Sequence, residues 1–295
     1  MLLKASQRTF ALHTAQRACF SASYKSILIE TDELDRMLGD PSLTVFNASY
    51  VTGAAPNPKA AHIQSRIPGS LFFDFNRFSN YDSPYSYTVP TEDQFQAEMH
   101  SLKVKRTDQI VVYDKIGMVS APRAYWLFKL YGLPNVRILN GSFHKWAELE
   151  KRRVEEGERD SAFRRVDRDN EEFDCRYEYD HSKIFMFEQI NKTSKQIVDT
   201  RVESVYANGT IPKAINIPFT KVLNDDKTYK RPEQIQEVLE MNGIKNPQIN
   251  EDVVLSCQRG ITASVMEIAM RLIGNEKVML YDGSYEEYSK RIIKQ

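Results

Sequence analysis

The chain has 295 residues, of which 41% are hydrophobic and 11% aromatic, enough to form two domains each with a buried core. Its 40 Lys and Arg balance 40 Asp and Glu, so no net field draws it to nucleic acid or to an anionic membrane, and no apolar run approaches the roughly 20 residues that span a bilayer. The three cysteines, Cys19, Cys175 and Cys257, are odd in number and far apart, which excludes a disulfide framework or a paired metal-ligand motif and fits a reducing compartment.

Residues 1–23 carry Lys4, Arg8 and Arg17 among Ser, Thr and Ala, and no acidic residue precedes Glu30 in a chain that is 27% charged. That bias is the one expected of a mitochondrial transit segment, and it predicts a location in the matrix. Arg17-Ala18-Cys19-Phe20-Ser21 resembles a processing site cut after Phe20, which would remove Cys19 on maturation.

Short apolar runs then alternate with amphipathic ones. Val45 to Ala48, Ile110 to Tyr113 and Val136 to Leu139 predict strands over residues 24–150. Residues 151–180 are crowded with Arg, Glu and Asp and read as a solvated, charged linker. Over residues 181–295 the strands recur at Ile197 to Thr200, Val253 to Ser256 and Val278 to Tyr281. The two halves run in step. Arg66-Ile67-Pro68-Gly69-Ser70 aligns with Thr210-Ile211-Pro212-Lys213-Ala214 at an offset of 144, Asp114 with Cys257 at 143, and Gly141-Ser142-Phe143 with Gly283-Ser284-Tyr285 at 142. So slow a drift implies a duplicated domain, each copy an α/β unit with a mostly parallel sheet covered by helices on both faces.

Cys257 stands where an apolar strand ends and a helical pattern begins, with Ile261, Val265, Ile268, Ala269 and Leu272 on the buried face. A sulfur there meets unpaired backbone N–H groups and the positive end of the helix dipole, so its thiolate is stabilised. Arg259 adds a positive charge, and Gly260 lets the backbone curl into an anion-binding nest. A lone Cys after a strand is more often a packing residue. The loop that follows this one argues for chemistry.

Cys257-Gln258-Arg259-Gly260-Ile261-Thr262-Ala263 resembles the active-site loop of rhodanese-like sulfurtransferases. Asp199-Thr200-Arg201, the segment Ile211 to Pro218 and Tyr281-Asp282-Gly283-Ser284 are similar to that family's flanking signatures. The first half resembles the inactive partner domain of its two-domain members through Arg66 to Asp74, Ser120-Ala121-Pro122-Arg123 and Gly141-Ser142-Phe143. The resemblance implies two tandem rhodanese-like domains and a sulfur carried as a persulfide on Cys257. The amides of Gln258, Arg259, Gly260, Ile261, Thr262 and Ala263 would stabilise it, the Thr262 hydroxyl would add a hydrogen bond, and Arg259 would hold the donor's anionic end. Asp199 and Arg201 would support the loop. The sulfur donor would be thiosulfate or 3-mercaptopyruvate and the acceptor a thiol, cyanide or a thioredoxin-like protein, with no metal or organic cofactor. Asp114 at the cysteine position leaves the first copy without a nucleophile.

The chain departs from the family pattern in three places. Val205 replaces a substrate-anchoring Arg, a second anchor has no counterpart between Tyr206 and Gly209, and the usual His before Ile-Pro is Arg66 in the first half and Thr210 in the second. One basic residue after the cysteine leans toward thiosulfate. A phosphatase built on this fold would need Arg where Ala263 stands. A scaffold that kept the fold and lost turnover is the alternative that the missing anchors motivate.

Overall fold

The computed structural model describes residues 23–50, 57–158, 176–249 and 253–293; Cys19, Cys175, most of the charged linker and nearly all of the basic N-terminal segment lie outside them. Ten strands form two sheets. They are β1 (Leu28–Ile29), β2 (Leu43–Asn47), β3 (Leu71–Phe72), β4 (Gln109–Tyr113) and β5 (Val136–Leu139), then β6 (Ile184–Phe185), β7 (Gln196–Asp199), β8 (Ile215–Asn216), β9 (Val253–Ser256) and β10 (Met279–Tyr281). The first sheet runs β1-β5-β4-β2-β3 and the second β6-β10-β9-β7-β8, with every pair parallel. Phe46 pairs with Val112 in one sheet as Val198 pairs with Leu255 in the other. The six strands expected from sequence are present with ends shifted by a residue or two. The two-residue edge strands β1, β3, β6 and β8 are too short to produce a readable alternation.

The helices at the centre of the molecule are more deeply buried than their patterns predict. Every residue of the helix Ala121–Leu130 is buried except Lys129. In the helix Ile261–Leu272 the expected face is buried, and so are Ala263, Ser264, Met266, Glu267 and Met270. Each helix turns one side to its own sheet and the other to its counterpart from the second copy, so that one hydrophobic core runs through both halves.

Most residues at the described ends of the charged stretch are exposed, as its composition predicts, but Glu155, Tyr177 and Tyr179 are docked. Glu155 pairs with Arg66 as an antiparallel bridge, and its carboxylate accepts from Arg66 Nη2 at 2.9 Å and from Gly69 N at 2.7 Å. Tyr177 is buried against Phe95, and Tyr179 packs on Tyr131. Aromatic groups at one described end, and at the other the ion pair of Glu155 with Arg66 and those of Arg152 and Arg153 with Asp32 and Asp35, join these residues to the first domain.

The helix Pro58–Gln64 starts at Asn57, whose side chain accepts from Lys59 N, and has Pro at its first position. It buries His62 against β2, where Asn47 Nδ2 donates to His62 Nδ1 at 3.2 Å. Burial, aided by the charges of Arg66 and Lys115, pushes His62 down from 6.5 to about 4. Between those values the unfolded chain binds the proton and the folded one does not, so stability present above pH 6.5 is lost as pH falls toward 4. The loss is expected to be on the order of 3 kcal/mol. Denaturation at stepped pH should show His62→Gln, a neutral acceptor, flattening this part of the acid limb.

Candidate active site

The four residues of β9 are all buried, and the strand delivers Cys257 to its carboxyl end with a side chain only 1% exposed. The loop is short: the helix begins at Ile261, and Gly260 makes the turn with a φ of 76°. That left-handed value is strained for any residue with a Cβ. The space is closed as well, since a Cβ on Gly260 would lie 3.0 Å from Asp282 O and 3.2 Å from Arg123 Nη1. The Gly-Ser-Tyr motif clamps the start of the loop. Cys257 N donates to Ser284 Oγ at 3.3 Å, Ser284 Oγ donates to Tyr281 O at 2.8 Å, and Tyr285 N and Glu286 N donate to Cys257 O and Gln258 O, both at 3.0 Å.

The first copy contains the same loop with its centre filled. Asp114 N donates to Ser142 Oγ at 2.6 Å and Phe143 N to Asp114 O at 3.0 Å, matching the bonds around Cys257. The buried Asp114 carboxylate accepts from five backbone amides, those of Ile116, Met118, Val119, Ser120 and Ala121, at 2.8–3.1 Å. Their counterparts are Arg259, Ile261, Thr262, Ala263 and Ser264. The loops differ in where the helix begins: Met118 has a φ of 62° and the first copy's helix starts only at Ala121, whereas Ile261, the counterpart of Met118, already opens the helix three residues earlier. Ile261, Thr262 and Ala263 are therefore first-turn amides with no acceptor inside their own helix, and Gly260 supplies no side-chain cap. In the first copy these N–H groups bond the side chain at the strand's end; in the second the first-turn amides beside Cys257 have no acceptor within their helix.

Asp199 and Arg201 lie beneath the loop. The buried Asp199 carboxylate accepts from Arg201 N, Nε and Nη2 at 2.6–3.0 Å, and Arg201 also donates to Gly209 O at 2.7 Å and to Gln258 Oε1 at 3.1 Å. The Arg201 guanidinium is thus spent on bracing and is stacked over Tyr285. The Thr262 hydroxyl lies 3.2 Å from that of Thr200. Arg259, like Gln258, is exposed: its Nε is 3.9 Å from Glu286 Oε2, and its side chain is 45% accessible. Val205, in the place of a family anchor, is also exposed.

Several residues of the first copy reach this site, and sequence reasoning missed them because their position depends on how the copies pack. Tyr50 is half-buried against Phe75 and Tyr87. Burial, reinforced by the nearby Cys257 sulfur and opposed by Arg259, pushes its hydroxyl up to about 12. Arg123 is fully buried behind Gly260. Its Nη2 donates to Tyr87 O and to Asp282 Oδ1, both at 2.8 Å, while Nε and Nη1 have no hydrogen-bond partner among the described residues. The only signal in the sequence was the Ser-Ala-Pro-Arg segment, which carries no indication of what it touches.

Gly260→Ala combines a disfavoured φ with a collision against backbone. It is expected to cost about 1–3 kcal/mol of stability and to disrupt the loop. Thermal melts together with the rate of Cys257 alkylation check this; a melt and a rate equal to those of the unaltered protein would contradict the geometry.

The model of the rhodanese-like domain matches residues 30–149 and 186–291. A thiosulfate sulfurtransferase of Rattus norvegicus is 28% identical over 271 residues, which cover 85% of this chain and 86% of that one. Among solved structures, the 3-mercaptopyruvate sulfotransferase SseA of Escherichia coli superposes with a TM-score of 0.76 at 24% identity, over 88% of this chain and 99% of that one. The yeast mitochondrial complex I sub-stoichiometric sulfur transferase subunit superposes with a TM-score of 0.74 at 24% identity, over 89% and 96%. At these identities the structures establish a shared fold, and the family match supplies the rest: the chain belongs to the rhodanese-like family, with one domain in each half.

Proposed function

We propose that this chain, a sulfurtransferase, moves a sulfane sulfur from thiosulfate or 3-mercaptopyruvate to a thiol, cyanide or thioredoxin-like acceptor through a persulfide on Cys257. The observation that supports this reading is the carboxylate of Asp114 in the first copy. An outer persulfide sulfur is as many bonds from Cα as a carboxylate oxygen of Asp. A loop that gives five amides to Asp114 is therefore the right shape, in its second copy, to give amides to an anionic sulfur on Cys257.

The transfer is a two-step displacement. The Cys257 thiolate attacks the outer sulfur of thiosulfate, the S–S bond breaks, and sulfite leaves with the bonding pair. With 3-mercaptopyruvate the C–S bond breaks instead, and the pyruvate enolate leaves and takes up a proton. The acceptor then attacks the outer sulfur of the persulfide and regenerates the thiolate. First-turn amides of Ile261, Thr262 and Ala263, with the amide of Arg259, hold the charge of the intermediate. Arg201 and Asp199 keep Gln258 and the loop in place.

Replacing Cys257 by Ser leaves a nearly isosteric side chain that cannot form a persulfide. Transfer to cyanide should fall to background while the melting temperature is kept. Intact mass after donor treatment should show a gain of about 32 Da, one sulfur, only with Cys257 present. Sulfur found on Cys175, or unchanged turnover in the Ser variant, would remove the assignment; loading without turnover would favour the scaffold alternative.

Residues 1–23 are proposed to direct the chain to the mitochondrial matrix, a reading that rests on their basic, acid-free composition. Fused to a reporter they should carry it into mitochondria, with the mature protein starting near Ser21. Recovery from cytosol of protein that still begins at Met1 or Leu2 would overturn it.

A further inference from the structure

The rim of the cysteine site carries an acidic group beside Arg259, the exposed cation of the loop. Glu286 sits in the first turn of the helix Ser284–Ile292, and its own amide donates to Gln258 O, so its backbone is fixed to the loop. Its carboxylate is fixed from the other side. Ser86 N of the first domain donates to Oε2 at 3.1 Å, and Lys290 Nζ donates to Oε1 at 2.7 Å. Burial works against ionisation, but the bonds from Lys290 and Ser86 hold the carboxyl below its usual range.

The contact from the first domain depends on an asymmetry between the copies. Asn80 N donates to Thr88 O, as Asn224 N does to Thr228 O, closing corresponding hairpins. The first spans Tyr81 to Tyr87 and the second only Asp225 to Lys227. The longer one brings Ser86 to Glu286 and Tyr87 to Tyr50.

We propose that Glu286 is a positioning residue for Arg259: it acts as a fixed counter-ion that keeps the guanidinium at the rim and so sets how strongly the site favours anionic over neutral reactants. The Glu286 side chain is 14% exposed and held by two donors, whereas that of Arg259 is 45% exposed and 3.9 Å away, beyond hydrogen-bond reach. The arginine is the partner free to move. An anion approaching Cys257 must compete with Glu286 for Arg259, and the penalty grows with its charge, so thiosulfate is disfavoured more than a monoanionic donor. This deepens the sulfur-transfer reading and rests on it only for the identity of the donor.

The test uses Glu286→Gln, whose single amide oxygen keeps an acceptor for Ser86 N while the bond to the exposed Lys290 is given up. The readout is alkylation of Cys257 by iodoacetate and by iodoacetamide, reagents of similar size that differ in charge. The iodoacetate-to-iodoacetamide rate ratio is expected to rise about three- to fivefold, the range of an ion pair this exposed. In an Arg259→Met background the same substitution should leave the ratio nearly unchanged. No rise, or an equal rise without Arg259, overturns the proposal. A strut that only held the hairpin would change both rates together and leave the ratio as it was. KM measured with thiosulfate should fall in Glu286→Gln by a larger factor than KM with 3-mercaptopyruvate. Should Cys257 prove not to carry sulfur, the alkylation ratio still reports on the rim by itself, so the two readings fail separately.

Discussion

Backbone N–H groups that converge on one point need an acceptor, because an amide buried without one costs about 1–3 kcal/mol. Each half of this chain brings amides together where a parallel strand ends and a helix begins, and a different residue faces them from the strand's end in each. In the first half the need for an acceptor is met within the chain, by the carboxylate of Asp114. In the second half the residue is Cys257, whose thiol is a poor acceptor and whose anionic forms are good ones. The preference for a negative sulfur therefore belongs to the fold before any side chain is considered, and the surrounding residues hold the loop to it. Ser284 fixes its first amide, Arg201 braces Gln258, and Gly260 makes a turn that a larger residue would block.

The two copies are joined by matching contacts. Val89 N donates to Asp282 Oδ2 at 2.8 Å, and on the other side Tyr229 N donates to Asn140 Oδ1 at 3.1 Å. The difference between Asp282 and Asn140 accounts for the polarity of the interface. An aspartate can neutralise Arg123, which would otherwise be a buried and unpaired charge; losing one partner of such a pair typically costs about 3–5 kcal/mol. The first domain, with no nucleophile of its own, supplies the Tyr50 and Tyr87 wall, the guanidinium behind Gly260 and the hairpin that reaches Glu286. It is retained as part of the second domain's site.

Much of this was legible in the sequence, for physical reasons that can be named. Long central strands such as Ile110 to Tyr113 and Val253 to Ser256 are buried on both faces and read as continuous apolar runs, whereas Ile215–Asn216 and Leu71–Phe72 are too short to carry a pattern. The buried face of the helix after Cys257 followed from its spacing. Burial of its opposite face did not, because Ala263, Ser264 and Glu267 are covered by another domain, and local spacing contains no information about that. The charged run after residue 150 misled at Glu155, because composition registers that residue as a charge and cannot register the Arg66 that awaits it. Asp114 is the instructive case: its alignment with Cys257 placed an aspartate where the second copy has its cysteine, but the five amides that its carboxylate accepts from depend on the path of the loop, which the alignment does not contain.

Backbone and side chains also divide the work at the site. Amides offer partial positive charge to any anion of the right size and cannot be altered by substitution without changing the chain's path, so the loop is expected to tolerate little variation in shape. Side chains at the rim are under no such constraint. Val205, Arg259 and Glu286 stand on separate elements; the first two are exposed and the third is largely covered by its bonds to Ser86 and Lys290. With a hydrophobic residue at one of these positions and an acid beside Arg259, the rim offers a dianion less than the amide cluster below it does. Access and stabilisation are thereby decoupled under the proposed reading: a bulkier or less charged sulfur donor would be admitted by changes at the rim, while the amides that would hold a negative sulfur on Cys257 stay as they are.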